Sequence, residues 1–189
     1  IVQKVMANMQ ISGSVSGMHG VFKDMNDAIN ASIEAQKKVC TMTLDQREQI
    51  ISLIRKKTHE NAEILANMGV NETGMGNVGD KILKHHLTAD KVPGTEDIST
   101  IAWSGDRGLT LVEMGPFGVI GAITPATNPS ETVICNCIGM LAGGNTVVFN
   151  PHPNAKKTTI YTINMINEAS IEAGGPDNIA VTVEAPTLD

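Results

Sequence analysis

Aromatic residues make up 3% of this 189-residue chain, it has only three cysteines, and no apolar run approaches the roughly 20 residues that a membrane-spanning helix needs. An odd, small number of cysteines gives no disulfide framework of the kind that holds secreted domains together. No signal-peptide pattern opens the sequence. These features set the expectation of a reduced, cytoplasmic protein that does not cross a membrane. Positive charge is also scarce. Lys and Arg number 14 against 20 Asp and Glu, for a net charge of −6, which argues against nucleic acid and against anionic lipid surfaces. His85 and His86 are adjacent, so on a helix they point about 100° apart, and no partner stands at ligand spacing. No metal site is therefore expected. A G-x-G-x-x-G fingerprint after a strand is absent as well.

Apolar residues make up 41% of the chain, enough to bury a core. Ten methionines take over part of the filling role left by the missing aromatics. The most informative stretch runs from Gly115 to Pro153. Gly118 to Ile123 reads as a buried parallel strand. Thr124 to Asn128 is a loop. Pro129 suits a first helical residue, with Asn128 as N-cap and Glu131 near the third position. The helix carries Val133, Ile134, Cys137, Ile138 and Leu141 and ends at Gly143-Gly144. Thr146 to Phe149 is the next strand, left through Asn150-Pro151-His152-Pro153. Strand, helix and strand in this order form a parallel crossover. Ligands gather at the carboxyl ends of such strands, which places Thr124 to Asn128 beside Asn150 to Pro153 at a binding crevice.

In chain order, Ile1 to Gln10 spaces Val2, Val5, Met6 and Met9 as a short amphipathic helix. Ile11 to Gly20 reads as a flexible linker. Such a short helix either frays or docks on a partner. Asp24 to Val39 is a helix with Ala28, Ala31, Ala35 and Val39 on one face. Thr43 to Gln46 is a capping box that starts a long helix striped by Leu44, Ile51, Ile54, Leu65 and Met68. Arg47, Arg55, Lys56, Lys57 and Glu60 form its expected solvated face. Asn71 to Gly79 breaks it, and Asp80 to Leu87 is a further helix. Val92 to Asp106 reads as connection with Trp103 packed, and Leu109 to Met114 as a strand. Lys156 to Ala173 is a helix, and Asn178 to Val183 the third buried strand. Both ends look cut, because three parallel strands make half of a doubly wound sheet.

Four segments, ETGMGN (Glu72 to Asn77), GPFGVIGAITPATNPSET (Gly115 to Thr132), MLAGGNTVVF (Met140 to Phe149) and NPHPNAKK (Asn150 to Lys157), resemble the aldehyde dehydrogenase superfamily. Within it they resemble the CoA-acylating branch, in particular the propionaldehyde dehydrogenases of bacterial microcompartments. The resemblance covers about Phe22 to Asp189 and implies a parent more than twice this length. It implies an α/β, aldehyde-dehydrogenase-like fold: N-terminal helices, then half of a Rossmann-like parallel sheet (β-α-β-α-β). Residues 1–20 would be a targeting helix and linker, and 21–189 the N-terminal part of an NAD- and CoA-binding domain. Implied too are oxidation of a short aldehyde to acyl-CoA, NAD and coenzyme A as cofactor and co-substrate, a homo-oligomer, and location in a microcompartment lumen, with residues 1–10 docking on a shell protein. The strands that exchange between subunits would come from absent segments. Alternatives are a non-acylating aldehyde dehydrogenase and a truncated, non-catalytic nucleotide-binding or shell-docking module.

Three groups of residues are site candidates. Cys135 and Cys137, at i and i+2, lie on roughly opposite helix faces without a basic neighbour in sequence, and read as buried small hydrophobes. The resemblance places the nucleophilic Cys beyond Asp189, so neither they nor Cys40 inherit that role. Asn128 is the catalytic candidate. Thiolate attack on an aldehyde makes an oxyanion that needs a fixed donor, and in the superfamily the Asn of this motif supplies it. It can also cap the helix, if its carbonyl caps while its NH₂ faces the crevice. The nucleotide-contact candidates are Ile123, Thr124, Pro125, Ala126, Thr127, Asn150, Pro151 and His152. Asn150 stands where many superfamily members carry a ribose-contacting Lys. Losing that charge disfavours a 2′-phosphate and leaves NAD as the expected nucleotide. His152, between prolines, is a rigid turn residue or a nucleotide contact.

Overall fold

A computed structural model describes residues 17–187. The expected docking helix at Ile1 to Gln10 lies outside the described residues. The elements are β1 (Val21–Phe22), α1 (Met25–Val39), α2 (Leu44–Thr73), α3 (Val78–Lys91), β2 (Ile101–Gly105), β3 (Gly108–Val112), β4 (Val119–Thr124), α4 (Pro129–Ala142), β5 (Thr146–Pro151), α5 (Lys156–Glu172) and β6 (Ala180–Val183). Short 3₁₀ turns lie at Thr95–Asp97 and Pro153–Ala155.

The main sheet is parallel throughout, in the order β1-β6-β5-β4. Three of its strands are those expected. The fourth, β1, has only two residues, with Val21 opposite Thr182 and Phe22 opposite Val183. The expected linker therefore ends before Gly20, whose carbonyl accepts from Thr182 N at 2.8 Å. Gly20 sits at φ +74°, and a Cβ there would collide with Asn167 Nδ2 and Ala180 O. Only glycine allows this close approach.

Strand alternation divides the core. Phe22, Val148 and Val181 face α1, where the small side chains of Ala28 and Ala31 let the helix approach closely. Val147, Phe149 and Ala180 face the opposite layer, where Val133, Ile134 and Ile138 of α4 pack with Ile163 and Ile166 of α5. Ile50, Ile51 and Ile54 of α2 join this second layer.

The capping box at Thr43 and Gln46 is formed, and α2 ends at Gly74 in the left-handed region. Leu44 falls outside the expected stripe: it is exposed, and Ile50 is buried instead. Arg47 and Arg55 do not belong to a solvated face. Arg47 donates to Ala142 O, the last carbonyl of α4. Arg55 donates to Ala89 O and Val92 O, at 2.7 and 2.9 Å, at the end of α3. Helix C-terminal carbonyls lack intrahelical donors, and the guanidinium fork fills that need.

The strand expected at Leu109 to Met114 is present as β3, but residues 101–105, expected as connection, form a strand too. The two form an antiparallel hairpin, β2 with β3, in which every position is exposed. Trp103 is 58% exposed rather than packed.

Candidate functional site

Parallel pairing sets Ile123 opposite Asn150 and Thr124 opposite Pro151. His152 N donates to Thr124 O at 3.1 Å, adding one bond beyond the strands. The carboxyl ends of β4 and β5 therefore lie side by side, as the crossover requires. Their register is set from the amino ends of the strands, by Asn145 just before β5. Its Oδ1 accepts from Phe117 N and Gly118 N at 2.7 and 3.0 Å, and its Nδ2 donates to Met140 O at 3.1 Å.

Two hollows open on this edge. Ile123, Thr124, Asn150, Pro151, His152 and Thr187 border a small one of about 90 Å³. Ile123 is 87% exposed there, an apolar face that a flat ring could cover. The Thr124 hydroxyl is buried without a partner among the described residues. Asn150 Nδ2 donates to Thr187 O at 3.1 Å. His152 Nδ1 accepts from Asn154 N at 3.1 Å, so this ring caps the 3₁₀ turn. Pro125 and Ala126 lie on the loop leading away from this hollow, one exposed and one half-buried.

The larger hollow, about 320 Å³, brings Thr127 and Asn128 together with Met75, Gly76, Asn77 and Lys84. Two separated sequence motifs thus share one cleft. Asn77 Oδ1 accepts from Asp80 N at 2.9 Å and starts α3. Asn128 sits at the N-cap position of α4, yet its side chain makes no capping bond. Its Oδ1 accepts from Lys84 Nζ at 3.1 Å. The expected double role therefore fails on the capping side: the ammonium takes the carbonyl, and the amide hydrogens are what Asn128 offers the cleft.

Beneath the loop lies a buried polar cluster that sequence reasoning missed. Lys81 Nζ donates to Thr127 O at 3.0 Å and pairs with Glu131 Oε1 at 3.4 Å. His85 Nδ1 donates to Lys81 O at 2.7 Å, and Ser130 Oγ lies 2.8 Å from His85 Nε2 and 3.2 Å from Glu131 Oε2. Burial is the main cause holding the His85 pKa below its ordinary value, against the opposing pull of Glu131. The imidazole is therefore neutral at pH 7, and the Ser130 hydroxyl lies between it and the Glu131 carboxylate. The legible signal was the stripe Lys81, His85, Ala89, at i, i+4 and i+8. These three are buried, and two of them are polar.

Neither thiol of α4 is activated. Cys137 is buried, and desolvation pushes its pKa up to about 12. Desolvation also raises that of Cys135, whose residue is nonetheless exposed, unlike the buried hydrophobe expected. Cys40 is exposed on the far end of α1. Among the described residues no group of His, Cys, Asp and Glu could hold a metal ion, and no helix is long and apolar enough to cross a membrane.

The profile of the aldehyde dehydrogenase family matches residues 10–186. A propanal dehydrogenase (CoA-propanoylating) from Salmonella typhimurium is 44% identical over 90% of this chain and 37% of its own length. The structure of a propionaldehyde dehydrogenase from the Clostridium phytofermentans fucose utilisation bacterial microcompartment has a TM-score of 0.88 and 73% identity, over 90% of this chain and 39% of that one. An engineered glycolyl-CoA reductase with bound NADP⁺ has a TM-score of 0.87 and 46% identity, over 89% and 39%. The chain thus spans about two fifths of the length of these relatives. By its match, its parallel half-sheet and its crevice, the chain belongs to the aldehyde dehydrogenase family.

Proposed function

We propose that the full-length protein carrying this chain is a CoA-acylating aldehyde dehydrogenase, in which a short aldehyde, NAD⁺ and CoA give acyl-CoA, NADH and a proton. The CoA-propanoylating relative supports the acylating reading, and its chemistry is carried by the Asn128 amide, held at a cleft by Lys84 with its N–H groups left to a substrate oxygen. Asn128 Nδ2 donates to the aldehyde oxygen as a thiolate adds to the carbonyl carbon, where negative charge grows. Burial raises the pKa of Cys135 and Cys137, and the thiolate is assigned to the rest of the full-length chain.

The nucleotide end of the crevice fits an adenine nucleotide: Ile123 offers an uncovered apolar face, and the Thr124 hydroxyl a buried hydrogen-bonding group without a partner among the described residues. Ile123, Thr124, Asn150, Pro151 and His152 would hold it, with Pro125, Ala126 and Thr127 lining the path to Asn128. When bound, NAD⁺ supplies the hydride acceptor. Asn150 is neutral and already committed to Thr187 O, so no charge there rewards a 2′-phosphate. This supports NAD over NADP.

The hairpin supports a homo-oligomer. Ile101, Trp103 and Val112 share one of its faces, Leu109 and Leu111 the other, and all are exposed. A two-stranded hairpin is marginal alone in water, and a second copy would cover it. We place the protein in a microcompartment lumen, with residues 1–10 as its shell-docking segment; the support is the sequence pattern and the Clostridium phytofermentans relative.

The test is NADH formation from propanal by the full-length chain, followed by its absorbance, with and without CoA and with NADP⁺ in place of NAD⁺. The reading expects turnover that needs CoA and prefers NAD⁺. Turnover indifferent to CoA would favour the non-acylating alternative, and none at all the non-catalytic one.

A further inference from the structure

We propose that Lys84 is a positioning residue for the reaction, acting through Asn128, and that the buried Lys81 holds the loop that presents this pair; the inference rests on the oxyanion reading of Asn128. Both lysines stand on α3, three residues apart and so neighbours on its surface. They reach consecutive residues of one loop. Lys81 Nζ binds Thr127 O at 3.0 Å, and Lys84 Nζ binds Asn128 Oδ1 at 3.1 Å.

A side-chain amide can turn over about its last bond and exchange its oxygen for its NH₂. Only one orientation donates to an oxyanion. The ammonium has donors alone, so it accepts only the orientation that puts Oδ1 toward Lys84. Turning the amide over would set its NH₂ against the ammonium. A charge-assisted bond at the carbonyl also draws electron density from the amide nitrogen and strengthens its N–H donors. Lys81 fixes the backbone one residue earlier. It is 3% exposed and pairs with the buried Glu131, whose neighbour Ser130 is tied to His85. The loop is thus held from beneath by α3 and by the first turn of α4, although no side-chain cap holds Asn128 itself.

The experiment is a double-mutant cycle in the full-length chain, with Lys84→Met, Asn128→Ala and the pair, each read as kcat and KM for propanal at saturating NAD⁺ and CoA. Lys84→Met is expected to lower kcat roughly tenfold, less than the 10²–10³ for loss of the donor itself, with the melting temperature unchanged. In the Asn128→Ala background it is expected to do nothing more, because its effect passes through that side chain. Lys84→Arg, which keeps a charged donor, should recover most of the rate. Full activity in Lys84→Met, or a loss that adds in full to that of Asn128→Ala, overturns the inference and leaves the oxyanion reading standing. An Asn128→Ala variant with normal kcat overturns both.

Discussion

Asn128→Asp separates the chemistry of this loop from its stability. The geometry predicts that the variant folds at least as well as the wild type. Asn128 makes no capping bond that the change could remove. The new carboxylate would take the place of Oδ1, 3.1 Å from Lys84 Nζ. At that separation a charge pair in water attracts by about 1.3 kcal/mol, and exposure of Lys84 cuts the net gain to a few tenths. Catalysis should suffer in the opposite direction. The two amide hydrogens are replaced by an acceptor, and the loss of one such donor costs roughly 10²–10³ in kcat, or about 3–4 kcal/mol. Repulsion between the carboxylate and the developing oxyanion adds to this. Differential scanning fluorimetry and stopped-flow NADH traces on the same preparation would read both quantities. Near-normal turnover in Asn128→Asp would refute the donor role and assign the oxyanion to other groups. A large drop in melting temperature would refute the account of the loop, because an acceptor kept opposite Lys84 should cost no stability.

Lys81→Met should destabilise the protein by roughly 3–5 kcal/mol, since it strands the buried Glu131; pairing it with Glu131→Gln should recover much of that loss, and a urea midpoint unmoved by Lys81→Met would contradict the buried pair. Stability should also fall as pH drops below the ordinary histidine pKa of 6.5, because burial holds the folded His85 pKa lower and the unfolded chain then binds more protons. That contribution is fully present above 6.5 and is lost toward the lower folded pKa; replacing His85 with Gln should flatten the melting curve between about pH 7 and pH 5, and an unchanged slope would mean that other groups set it. Trp103→Glu together with Leu111→Glu, on opposite faces of the hairpin, should reduce the mass found by light scattering, whereas an unaltered mass would remove the hairpin from the subunit interface.

The strand-helix-strand unit was legible because its signals are local. Pro129 fits the start of α4, Gly143 and Gly144 its end, and the apolar runs on either side are too short for anything but strands. What escaped depends on distant partners. Two residues, Val21 and Phe22, carry no strand pattern of their own and become one only against β6. The hairpin's second strand was legible, but its first, β2, escaped because apolar residues on both faces blur the alternation that marks a half-buried strand. Arg47 and Arg55 have the spacing of a solvated face, but their guanidinium groups reach carbonyls at the ends of other helices. Asn128 has every local mark of a cap, and a lysine 44 residues earlier takes its carbonyl instead. The Lys81–Glu131 pair follows the same rule: buried charge shows in a sequence only when its partner is known.

The measurement that bears most directly on the account is the identity of the product. The full-length chain, given propanal, NAD⁺ and CoA, should form propionyl-CoA in a one-to-one ratio with NADH, with both lost together in Asn128→Ala. Mass spectrometry of the quenched reaction, set against NADH absorbance, reads this ratio. Propionate in place of propionyl-CoA, or a full yield of the thioester from Asn128→Ala at the wild-type rate, would contradict it.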